Sequence, residues 1–177
     1  EPDGPFQNSV ASGVWNLQDQ YDYRRGGNWP EAGNALSRAI FFDGVASLQY
    51  VEIATTGNTL DFGDGPAVSN SGGTGSNTRG VFKGSDEVAI YQIQWATLGN
   101  STSFGDLTAA SIASGNAAST TRAIFGGGGT SNVMEYITIA SAGDGTDFGD
   151  LTVARGNLAG FSSAAGRAVF SGGRNSN

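Results

Sequence analysis

A chain of 177 residues with 29 glycines, 14% charged residues and a net charge of −7 at pH 7 has room for one domain or a short array, and little tolerance for long helices. The absence of cysteine and histidine excludes disulfides, thiolate metal sites and the commonest general base. The excess of acids excludes a basic groove for nucleic-acid phosphates, and no apolar run approaches the roughly 20 residues of a membrane span, so neither nucleic acid binding nor membrane insertion is expected.

Residues 1–35 do not repeat elsewhere in the chain. Here Ser12-Gly13-Val14-Trp15-Asn16-Leu17-Gln18-Asp19-Gln20-Tyr21 suits a short helical turn, which Arg24-Arg25-Gly26-Gly27-Asn28-Trp29-Pro30 breaks. Trp15, Tyr21 and Trp29 make this leader either a cap over the first repeat or an anchor that plugs into another protein.

Residues 36–177 form a repeat region with a period of about 43 residues. Each unit opens on an arginine-led strand: Arg38-Ala39-Ile40-Phe41, Arg79-Gly80-Val81-Phe82, Arg122-Ala123-Ile124-Phe125 and Arg167-Ala168-Val169-Phe170. The arginines are 41, 43 and 45 residues apart. A small-residue turn follows, at Asp43-Gly44, Lys83-Gly84, Gly126 to Gly129 and Gly172-Gly173. A second strand then begins at Tyr50, Tyr91 or Tyr136. After a turn at Gly57-Asn58, Gly99-Asn100 or Gly143-Asp144 comes an aromatic, Phe62, Phe104 or Phe148, always in Phe-Gly-Asp. The aspartates are Asp64, Asp106 and Asp150. A weaker fourth strand is expected in the Ser/Ala/Gly-rich remainder, such as Leu158 to Ser163. Short strands with turns every 8 to 12 residues predict antiparallel sheet, and a single such sheet must stack on its neighbours to bury its faces.

Several motifs imitate chemistry. Asp61-Phe62-Gly63 and Asp147-Phe148-Gly149 spell the kinase magnesium motif, but they recur with the repeat and lack the other kinase motifs. Their reading is an aromatic packed between units at a tight turn. Gly126 to Gly129 followed by Thr130 lacks the Gly-Lys-Ser/Thr of a phosphate loop. Asp144, Asp147 and Asp150 crowd a turn without EF-hand spacing, and they read as caps on turn amides. Arg38, Arg79, Arg122 and Arg167 are expected to tie to a turn aspartate within or between units. No catalytic residue, metal site or cofactor is assigned, and the chain is not expected to be an enzyme.

Arg122-Ala123-Ile124-Phe125-Gly126-Gly127-Gly128, with Glu135-Tyr136, an aromatic turn and Arg155 behind it, resembles the kelch blade. The period is shorter than a standard kelch unit, and Phe replaces its late Trp. Residues 135–155, Glu-Tyr-Ile-Thr-Ile-Ala through Asp-Phe-Gly-Asp-Leu-Thr-Val-Ala-Arg, are closer to the glycine-rich kelch-like repeats in structural proteins of tailed bacteriophages. The resemblance covers residues 36–173. It implies an all-β, kelch-like β-propeller-type fold of three full units plus a partial one, with a ring that is incomplete or completed by other chains. It also implies a virion component, a tail fibre or appendage, that assembles as a homo-oligomer with other virion proteins and attaches to a host-surface glycan or protein. The same repeat is compatible with a secreted bacterial adhesin or lectin-like propeller, and less so with a polysaccharide-degrading tailspike.

Overall fold

The computed structural model describes residues 38–42, 46–67, 72–84, 87–111, 114–163 and 166–175. The leader with Trp15, Tyr21 and Trp29, and the Asp43-Gly44 turn, lie outside the described residues. Among the described residues there are thirteen strands and no helix.

The second unit shows the full pattern: β4 (Gly72–Gly75), β5 (Arg79–Lys83), β6 (Glu87–Gln94) and β7 (Thr102–Ser111), paired in that order as an antiparallel meander. The third unit repeats it with β8 (Gly115–Ala118), β9 (Arg122–Gly128), β10 (Ser131–Thr138) and β11 (Thr146–Asp150). In the first unit β1 (Arg38–Phe42), β2 (Ser47–Glu52) and β3 (Leu60–Asp64) are the counterparts of the last three strands. β12 (Gly156–Ser162) and β13 (Ala168–Arg174) are the counterparts of the first two, in a fourth unit. The weaker strand expected near Leu158 is β12.

The β4–β5 and β8–β9 hairpins are closed alike, by Ser76 N donating to Arg79 O at 2.9 Å and Ser119 N to Arg122 O at 2.8 Å. The serine hydroxyl also accepts from the backbone N–H two residues on, Thr78 or Thr121, so a Ser-x-Thr-Arg sequence supplies its own turn. Along the third strand the pattern alternates: Leu48 and Tyr50 are buried in β2, and Glu135 and Ile137 in β10, with Ile139 buried just past its end.

The core lies between sheets. One cluster joins Leu48, Tyr50 and Phe62 of the first unit to Phe82 and Ile93 of the second. The next joins Val81, Ile90, Phe104 and Leu107 of the second to Ala123, Phe125, Ile137 and Ile139 of the third. The first two sheets are thus each covered by the following one, and stability resides in these junctions. β8 touches both β4 and β12, so the first strands of successive units lie side by side. Small residues allow this: a Cβ on Gly160 of β12 would collide with the Asn116 backbone of β8.

Two sequence expectations change here. Phe-Gly-Asp is not a tight turn but part of the fourth strand, at a β-bulge. In all three units the register slips at the phenylalanine, opposite Leu48/Gln49, Ile90/Tyr91 and Met134/Glu135. Tyr91 is also not the counterpart of Tyr50 and Tyr136. Tyr50 pairs with Ile40 and Tyr136 with Ile124, whereas the residue opposite Val81 is Gln92. The hairpin after β5 is longer by one residue than the one after β1. That slip moves Tyr91 to the opposite face, where its ring stacks on Phe82 at 5.7 Å.

Candidate functional site

The feature that the structure builds repeatedly is the junction between units, and it is made of the repeat's own marked residues. Its donor is the turn between the third and fourth strands. Gly99 N donates to Phe62 O at 2.8 Å, and Ser101 N donates to Asp64 O at 2.7 Å. Between them the Asn100 side-chain oxygen accepts from Asp64 N at 2.9 Å. One unit later, Gly143 N donates to Phe104 O at 2.8 Å and Gly145 N to Asp106 O at 2.7 Å. Asp144 Oδ1 accepts from Asp106 N at 3.0 Å. The two junctions therefore agree bond for bond. Either Asn or Asp serves at the middle position because both offer a carbonyl-type oxygen.

Phe-Gly-Asp is the acceptor of this turn. Gly63 and Gly105 hold φ of +146° and +158°, and a Cβ on either would strike the backbone of Gly99 or Gly143. Glycine is required there both for the conformation and for the approach of the next unit. The bulge turns Phe62 and Phe104 into the junction, where they are 2% and 3% exposed. Phe62 meets the edge of Tyr50 at 6.0 Å, and Phe148 meets Tyr136 at 6.1 Å.

The arginines also span the junction, though not by the expected tie to aspartate. Arg38 Nη1 donates to Trp95 O at 2.6 Å, and Arg79 Nη1 donates to Ile139 O at 2.8 Å. Each reaches from the second strand of one unit to the end of the third strand of the next. Arg38 also pairs with Glu52 at 2.8 Å, which is a glutamate of its own unit. With the Gln94 amide turned so that its oxygen faces Arg79 Nε, a 3.2 Å contact repeats that geometry without charge. A carbonyl acceptor is available in every unit because it is backbone; a carboxylate at one sequence position is not. The guanidinium lies over an aromatic ring: 4.9 Å from Tyr50 for Arg38 and 4.5 Å from Tyr136 for Arg122. Gln92 removes that ring in the second unit, and Arg79 lies 5.8 Å from Phe104 instead. Arg167 stands just ahead of β13 and is exposed, with its carbonyl accepting from Ser163 N at 3.0 Å.

Asp64 and Asp106 of Phe-Gly-Asp act in the clasp through their backbones; the side chains of Asp64, Asp106 and Asp150 are all exposed. Asp144 and Asp147 cap amides, the latter accepting from Gly149 N at 3.1 Å. Among the described residues no three potential metal ligands gather. Glu135 is buried, and Oε1 accepts from Thr108 N at 2.9 Å across the second junction. Partial burial, with Glu87 and Asp106 nearby, holds the Tyr91 hydroxyl above the usual tyrosine value.

Sequence reasoning marked Gly99-Asn100 and Gly143-Asp144 as turns but missed that they clasp the preceding unit. The exchange of Asn for Asp at one position was the available signal, because it keeps a side-chain oxygen and nothing else. No family model matches the chain, and no curated protein sequence matches it significantly.

Proposed function

We propose that the chain is a kelch-like, propeller-type repeat protein of a tailed-bacteriophage virion, a tail fibre or appendage that assembles with other virion proteins and meets the host surface. The observation that carries the architectural half is the duplicated junction. Four-stranded meanders stack face to face with their first strands adjacent, as blades do around an axis. The same clasp at two junctions gives a constant step from unit to unit, which a ring or a regular stack needs. The virion half rests on the wording of residues 135–155. Ser-, Thr- and Asn-rich turns outside the clasps suit adaptable contacts to glycan or protein surfaces. The role is one of binding and assembly, without catalysis. Immunogold labelling of phage particles with antibody to this chain tests the assignment. Label on tails or appendages is expected. Label confined to a bacterial surface would replace the reading with the adhesin.

A further inference from the structure

The second unit departs from the first at two side chains of one strand. Tyr50 and Tyr136 lay a ring against Arg38 and Arg122 at 4.9 and 4.5 Å, but Gln92 holds that register in the unit of Arg79. Opposite Arg38 stands Glu52, which neutralises it at 2.8 Å; opposite Arg79 stands Gln94. The first change removes a ring and the second removes a counter-ion. A cavity of about 230 Å³ lies here, between the end of β6 and the turn into β7, with Phe62, Arg79, Gln92, Gln94, Leu98 and Asn100 in its lining. Among the described residues no Asp or Glu lines it, and no carboxylate pairs with Arg79. Gln92 Nε2 donates to Ser103 O at 3.2 Å, but Oε1 is buried and meets no donor among the described residues. Asn100 uses its oxygen on Asp64 N at 2.9 Å, which leaves its amide nitrogen as a donor.

We infer that this cavity is a subsite for one acidic saccharide residue, a hydroxylated ring that carries a carboxylate. A buried acceptor without a donor is costly, and a ligand hydroxyl answers Gln92 Oε1. The guanidinium without a counter-ion favours a carboxylate over a neutral group, because the hydrogen bonds between them are charge-assisted. Arg79 Nη1 is held on the Ile139 carbonyl at 2.8 Å, which orients the planar group without neutralising it. Asn100 supplies a donor for a second hydroxyl. Phe62 and Leu98, the latter 56% exposed, border the C–H faces of a sugar. The volume is below the roughly 300–1,000 Å³ of sites for drug-sized ligands, so the space suits a single ring. In the first and third units a tyrosine ring stands beside the arginine where the second unit would hold the ligand. The glycan source rests on the reading that the chain meets a host surface, whereas the chemistry of the subsite does not.

The test titrates the 177-residue chain with methyl glucuronide, methyl glucoside and acetate, and follows the side-chain amide NMR signals of Gln92 and Asn100. Glucuronide is expected to shift both signals saturably. It should bind at least about tenfold tighter than glucoside or acetate, as a charge-assisted hydrogen bond implies. Gln92→Tyr copies the first and third units, so the fold is expected to hold, and its ring should abolish binding as read at Asn100. Gln94→Glu copies Glu52 and should bring glucuronide down to the level of glucoside. The comparison of three ligands on the unsubstituted chain stands even where a variant unfolds. Equal binding of glucoside or acetate, no saturable shift, or undiminished binding by a folded Gln92→Tyr chain would overturn the inference. The immunogold experiment decides location separately. Labelled tails without glucuronide binding remove the subsite alone, and glucuronide binding by a chain absent from phage particles removes the virion reading alone.

Discussion

Phe62, Phe104 and Phe148 share one sequence context and one backbone bulge, yet only the first two are buried. Their energetic roles must differ accordingly. Phe104→Ala is expected to cost about 3–5 kcal/mol, as for a buried phenylalanine. Phe148→Ala should stay within about 0.5 kcal/mol, as for an exposed site. Denaturant unfolding of the two variants checks this, and equal costs would count against the junction as the seat of stability. Asn100→Ala removes the oxygen that caps Asp64 N and should cost about 1 kcal/mol, while Asn100→Asp, which copies Asp144, should be nearly neutral. Tyr91 titrates above the ordinary tyrosine range because its surroundings disfavour the phenolate. Its contribution is therefore intact below the unfolded pKa of about 10 and lost as pH rises past it. A spectrophotometric titration should show one tyrosine ionising late, and the Tyr91→Phe variant should lose that late phase.

At the scale of the element, the bulged fourth strand and the turn behind the third strand are two halves of one device. The bulge aims a ring inwards and leaves two carbonyls and an N–H for the next unit's turn. Gly105→Ala should destabilise by at least about 2 kcal/mol, from the left-handed φ and from the collision with Gly143 together. The same substitution at Gly149 retains only the conformational strain, so its cost should be smaller. Comparing the two melting temperatures separates conformation from contact. Arg79→Ala removes a charged donor from the Ile139 carbonyl and should cost about 1.5–3 kcal/mol. Arg79→Asp is expected to be no better, because an ionised carboxylate has no hydrogen to donate to the Ile139 carbonyl.

For the whole molecule, cores placed between sheets make stability a sum over nearest-neighbour junctions. Exchange protection should therefore be greatest in β5, β6, β9 and β10, whose sheets are members of the two filled clusters. It should fall along β11, β12 and β13. Hydrogen exchange followed by mass spectrometry reads this gradient directly, and uniform protection along the chain would contradict it.

The sequence by itself determined the all-β class, the unit and its four-strand order, because turn chemistry and alternation are local and survive in the order of residues. Ser-x-Thr-Arg closes a hairpin wherever it occurs, and Phe-Gly-Asp marks the same strand in each unit. Only the tertiary structure decided partners. A one-residue difference in hairpin length, invisible against a period of varying length, sent Tyr91 to the other face. The arginines found backbone carbonyls sixty or so residues away instead of aspartates, as in the 60-residue separation of Arg79 and Ile139. A carbonyl leaves no trace in side-chain identity, so no motif announces it. What makes Phe148 different from Phe104 is likewise absent from its own sequence: it is whether another unit's turn lies on top of it.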